Sequence, residues 1–116
     1  MEYSEMVHSK PHLLVDTVDY LPKSVVITSL LKKKTGSVSL SSFDEGEVLV
    51  AKISPFDHLI QVIDGVAEVI IDEESTQLET GEFMIIPAHS TNKLKANKRF
   101  KILSTVIKSG YEDVSL

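Results

Sequence analysis

Two stretches decide how this chain is read: Gly46 to Gly65, GEVLVAKISPFDHLIQVIDG, and Gly81 to Asn97, GEFMIIPAHSTNKLKAN. Each consists of short runs of Val, Ile, Leu and Phe closed by Gly, Pro, Asp or Asn, which is the texture of β-strands and turns. The texture spreads outward over everything from Ser24 onward. It predicts strands at Val25–Lys33, Ser37–Phe43, Val48–Ser54, Leu59–Ile63, Val66–Asp72, Thr76–Glu79, Phe83–Pro87 and Arg99–Lys108. Asp64-Gly65, flanked by apolar runs, reads as a two-residue hairpin turn, because both central positions of that turn favour positive φ. Upstream, Leu13 to Leu21 could form one or two helical turns lying over the sheet, and Pro22 stops any helix there. The expected division is an N-terminal segment over 1–23 packed on the barrel, an all-β barrel over 24–108, and a C-terminal tail over 109–116.

Alternation places side chains on strand faces. Along Val48–Ser54 one face carries Val48, Val50, Lys52 and Ser54, and the other carries Leu49, Ala51 and Ile53, so both faces hold apolar residues. Leu59–Ile63, Val66–Ile71 and Phe83–Ile86 are apolar on both sides too. A sheet wetted on one face reads as hydrophobic-in and polar-out. These strands are therefore expected to lie between the barrel interior and a second layer, which in so small a chain is a second copy: a homodimer.

Composition narrows the function. The chain has 116 residues, a net charge of −5, four histidines and no cysteine. One domain of this size buries most of its surface but has no room for a second substrate-binding domain. Without cysteine there is no disulfide framework, zinc ribbon, iron–sulfur cluster or thiol nucleophile, so any metal would need His, Asp or Glu. The acidic balance lacks the clustered Lys and Arg that neutralise phosphates, so no nucleic-acid partner is expected. The start MEYSEMVHSK has no apolar core of signal-peptide type, and no apolar run has the length of a membrane helix. A cytoplasmic location and no membrane partner are the expectation.

The glycine and proline skeleton of the two opening stretches resembles the paired motifs of the cupin superfamily, roughly G-x5-H-x-H-x3-E-x6-G followed by G-x5-P-x-G-x2-H-x3-N. Gly46 and Gly65 stand 19 residues apart as the first motif requires, and Gly81 and Pro87 reproduce the start of the second. Small single-domain bacterial cupins are the nearest in character. The resemblance implies a double-stranded β-helix, or jelly-roll barrel, whose two sheets enclose a pocket.

The residues at the family's ligand positions have changed. Lys52 and Ser54 stand where the first motif has histidines, His58 where it has glutamate, His89 where the second motif has glycine, and Asn92 where it has histidine. A catalytic transition metal takes about three protein ligands of imidazole or carboxylate type. An ammonium at Lys52 would repel a cation and the Asn92 amide is a weak ligand, so no metal site is expected. The expectation is instead a pocket with aliphatic walls and Lys52, Ser54, His58, Asn92 and His89 at its mouth. There Lys52 could pair with an anionic small molecule, His58 could change charge near neutral pH, and Asn92 and Ser54 could orient the ligand. The protein then serves as a metal-free binding or non-catalytic cupin. Two alternatives stay open: a metal-dependent dioxygenase or isomerase with a divalent transition metal on His58, and metal-free acid–base catalysis by His58 with Lys52.

The remaining signals are weaker. Lys32-Lys33-Lys34 and the lysines from Lys93 to Lys101 read as solvated hairpin ends that discourage edge-to-edge pairing. His8 and His12 read as surface residues. No serine sits in a nucleophile elbow. Asp72-Glu73-Glu74 reads as a solvated hairpin tip without the alternating ligands of a calcium loop. Parity alone leaves Gln61 and Glu68 without an assigned face.

Overall fold

The computed structural model describes residues 7–108, so the expected tail at 109–116 and the first six residues lie outside the described residues. Eight strands follow a single short 3-10 turn at Leu14–Asp16. They are β1 (Val25–Lys33), β2 (Gly36–Phe43), β3 (Val48–Ala51), β4 (His58–Ile71), β5 (Glu74–Glu79), β6 (Phe83–Ile86), β7 (Asn92–Lys95) and β8 (Phe100–Ile107). All pairings are antiparallel. A first sheet runs β1-β2-β8-β4-β6 and a second runs β3-β7-β4-β5, with β4 belonging to both. The architecture is the expected all-β jelly-roll barrel.

Asp64-Gly65 is not a hairpin turn. It lies inside β4, a strand of 14 residues, where the register against β8 slips between Val62 and Asp64. Gly65 has φ +82°, and a Cβ there would overlap the Arg99 carbonyl oxygen and meet Phe100 Cα at 3.0 Å. A hairpin turn and a β-bulge both ask for a residue at positive φ, so the local signal is the same for each. What separates them is β8, which pairs continuously across the site. The bulge bends β4, so its first half closes the first sheet and its second half joins the second sheet.

Two further differences have local causes. β3 stops at Ala51 instead of Ser54, because its partner β7 begins opposite it at Asn92. Beyond it Ser54-Pro55 makes a turn in which the Ser54 hydroxyl accepts from the Phe56 N–H at 3.1 Å. β7, with sequence NKLK, has no strand signature of its own; it is a strand because β3 and β4 flank it on both sides.

The core lies between the sheets. Phe43 and Phe100 stack at 4.4 Å between centroids, and Ile60, Val62, Ala67, Val69 and Ile102 pack around them. Outside the first sheet is a second, smaller buried layer. Leu40 and Val18 are buried but do not belong to that cluster. Leu40 points outward from β2 and is covered by the segment before β1. The Ser42 hydroxyl donates to the Asp19 carbonyl at 2.7 Å, the Tyr20 hydroxyl donates to Asp64 Oδ2 at 2.7 Å, and the buried Lys101 ammonium donates to the Val15 carbonyl. Lys101 also sits over the Tyr20 ring at 4.9 Å. Burial, then the Asp64 carboxylate, holds the Tyr20 hydroxyl well above its ordinary pKa. Among the described residues no helix is long and apolar enough to cross a membrane.

Candidate functional site at the open end of the barrel

Because β4 bends at Gly65, both of its ends reach the end of the barrel away from the stacked phenylalanines. His58 begins the strand, paired with Ile86 and Val106, and shares its face with the buried Ile60 and Val62. It therefore points inward. Burial holds the imidazole below its ordinary pKa; Asp57 opposes that effect and Lys108 adds to it, so His58 is neutral at pH 7. At the other end Ile71 pairs with Asn92, which lies between Ile71 and Ala51 on the inner face of the second sheet. Asn92 is 8% exposed and shares its face with the buried Leu94. A cavity of about 510 Å³ lies at this end of the second sheet, but Val50, Ile70 and Lys93, which line it with Glu73, are paired on the outer face, so it is not the barrel interior.

The other three expected residues lie elsewhere. Lys52 is exposed just beyond β3, in phase with the exposed Val48 and Val50, and supplies no charge to the interior. The Ser54 hydroxyl is taken by its own turn, and its carbonyl accepts from the His89 N–H at 2.7 Å. His89 is exposed with φ +64°, the left-handed backbone conformation that favours glycine. The backbone geometry of the motif survives there while the side chain points to solvent. The Asp57 carboxylate accepts from the Ala88 N–H at 2.7 Å and, with the Ser54–His89 bond, ties the loop after β3 to the loop after β6. The expected mouth is thus divided: His58 and Asn92 face the interior from opposite sheets, Ser54 is structural, and Lys52 and His89 face out. Gln61 and Glu68 sit out of phase with their buried neighbours and face outward too.

Sequence reasoning missed a set of inner-face serines. β2 reads Ser37-Val38-Ser39-Leu40-Ser41-Ser42-Phe43, and Phe43 is in the core, so Ser37, Ser39 and Ser41 point inward while Val38 and Leu40 point out. Ser39 is in register with Ser29 on β1 and Ser104 on β8. The period-two serine pattern was visible in the sequence; its direction was not.

Comparison with known proteins bears on the fold. No protein-family model matches the sequence, and no curated protein matches it. Solved structures do. A conserved Streptococcus pyogenes protein of unknown function superposes with TM-score 0.84 and 26% identity, over 93% of this chain and 96% of that one. A cupin superfamily protein from Desulfitobacterium hafniense superposes with TM-score 0.83 and 21% identity, over 92% and 98%. The chain has a cupin fold. A cupin 2 conserved barrel domain protein from Leptotrichia buccalis, at TM-score 0.78 and 27% identity, matches 81% of this chain and 46% of its own length.

This cupin-fold chain does not present, at the ligand positions of the motif, a donor set that fits a transition metal. Of the residues at the ligand positions, one imidazole and one neutral amide face the interior, and about three strong ligands are needed. Among the described residues no three His, Asp or Glu side chains stand close enough together to hold an ion.

Proposed function

We propose that the protein is a non-catalytic cytoplasmic binding protein, acting without a metal, that holds a small polar molecule at the open end of its barrel between His58 and Asn92. The observation that carries the reading is Asn92. It is nine-tenths buried, its side chain has no hydrogen-bond partner among the described residues, and it faces the barrel interior beside Ala51, Ile71 and Leu94. Buried amides are normally satisfied within the protein. An amide left open beside aliphatic walls is the arrangement of a small-molecule site. The neutral His58 ring offers one donor and one acceptor from the facing sheet.

The test is a thermal-shift screen of small polar metabolites, repeated on Asn92→Leu. A binder present at 100 times its Kd stabilises the fold by about 2.7 kcal/mol, and the effect should vanish in the variant. Elemental analysis of the purified protein runs alongside. About one tightly held transition metal per chain, lost in His58→Ala, would replace this reading with the metal-dependent one.

The same reading includes a second copy of the chain on the outer face of the first sheet. Leu31, Val38, Thr105, Leu59 and Ile85 form one row across five strands of that face, and Phe83 lies beside them. Phe83 is 62% exposed and Ile85 55%. The row continues the apolar layer that the N-terminal segment covers at Leu40. It leaves Phe83, Ile85, Leu59 and Leu31 uncovered together, and contiguous exposed apolar residues of this kind favour an interface. The outer face of the second sheet is instead polar around Glu68, which accepts from Ser75 at 2.6 Å and Asn97 at 2.9 Å.

A further inference from the structure

The inward serines form a grid. Ser29, Ser39 and Ser104 lie side by side on β1, β2 and β8, and Ser37 and Ser41 stand one inner position to either side of Ser39. Neighbouring strands are about 4.8 Å apart and successive same-face residues about 6.6 Å apart, so the hydroxyls are spread at those two intervals. Ser41 is 7% exposed. Among the described residues none of the five hydroxyls has a hydrogen-bond partner in the protein. No buried side-chain nitrogen or oxygen is left unsatisfied either, so these hydroxyls face space that a solvent or ligand atom can reach.

A strand that turns its hydroxyls inward and its Val38 and Leu40 outward gives up core packing on the inner face. In the row of Ser29, Ser39 and Ser104 the inner positions carry no ionisable group: the row continues through Ile60 on β4 and Met84 on β6. The ionisable groups lie one row further out, where the exposed Lys32 and the His58 ring flank Ser37 and Val106. An anion taken to this depth would lose its hydration without gaining a counter-charge, which is costly. A neutral molecule bearing several hydroxyls could exchange its water partners for serines that each donate and accept. Its apolar edges would meet Ile60 and Met84.

We propose that this serine face binds a neutral, hydroxyl-rich small molecule, a sugar or polyol, whose far end reaches His58 and Asn92. The proposal rests on the binding reading above and names the class of ligand for it.

Saturation-transfer NMR on the full chain tests it with myo-inositol, D-ribose and D-glucose at 1 mM, against citrate and succinate. The expected result is transfer to at least one of the neutral compounds and to neither anion. Affinity should fall about fivefold for each hydroxyl removed in Ser39→Ala and Ser104→Ala, the size of a typical net hydrogen bond. The two substitutions are measured as single variants, each checked for folding by circular dichroism. Transfer confined to citrate or succinate overturns the ligand class and leaves the binding reading standing. Transfer to a neutral compound that persists undiminished in both serine variants overturns the role of the serine face. Transfer to none of the five overturns the class proposal, and a blank metabolite screen besides would overturn the binding reading.

Discussion

Gly65→Ala isolates the bulge that bends β4. Three glycines of the barrel have nearly the same backbone: Gly46 at φ +90°, Gly81 at +89° and Gly65 at +82°. A methyl at Gly46 or Gly81 meets nothing within 4 Å, so alanine there costs only the left-handed strain, about 1–2 kcal/mol. At Gly65 the methyl adds an overlap with the Arg99 carbonyl and contacts at 3.0 and 3.1 Å with Phe100 Cα and Cβ. These are backbone and core atoms that cannot swing aside. Moving β8 away from β4 should cost about a further 1–3 kcal/mol, as overpacking does elsewhere. Urea denaturation of the three alanine variants, with equal m-values as the check on two-state behaviour, gives the difference directly. Gly65→Asn sharpens it. Asparagine tolerates positive φ and would suit a hairpin turn, but under β8 it should be as damaging as alanine. If Gly65→Ala costs no more than Gly46→Ala, or Gly65→Asn is near neutral, the continuous β4 and the bend that brings His58 and Asn92 to one end of the barrel are wrong.

Four other outcomes are expected. Leu40→Ala, at a fully buried position outside the main core, should destabilise by about 2–5 kcal/mol in the same denaturation assay, showing that the N-terminal segment packs there in solution. His58 is held below its unfolded pKa, so the unfolded chain binds the extra proton first. Its contribution is complete above about pH 6.5 and is lost as pH falls toward the folded pKa, a slope that His58→Gln should flatten in denaturation series from pH 7.5 to 5. Tyr20→Phe removes the hydroxyl bonded to Asp64 and should cost about 1.5–3 kcal/mol, the range for a bond to a charged acceptor, read by the shift in urea midpoint. Light scattering at micromolar concentration should give twice the 12.8 kDa chain mass, and Ile85→Asp should return the monomer; a monomeric wild type removes the second copy from the proposal.

Fold and site were not equally legible. β1 was readable to its ends, because a run of Val, Ile, Thr and Leu closed by Thr35-Gly36 leaves little else for the chain to do. β7 was not, because two of its four residues are lysines and its strand state comes from β3 and β4 on either side. At the site, the skeleton position of His89 kept its left-handed backbone, as the motif implies, yet its side chain points outward. His58 and Asn92 were legible as candidates from motif position alone. Lys52 was a candidate by the same logic, but the strand that would have aimed it ends one residue earlier.

The sequence by itself determined the strand texture, the single-domain scale, the positions that need positive φ, and the poverty of metal ligands. Each of these depends on a residue and its near neighbours. The tertiary structure alone decided that Gly65 is a bulge instead of a turn, that the serines of β2 face inward while Leu40 faces a layer outside the sheet, and that His58 and Asn92 share one end of the barrel. Period-two alternation divides a strand into two faces but carries no sign. Only the partner strands, and what covers each sheet, say which face is the inside.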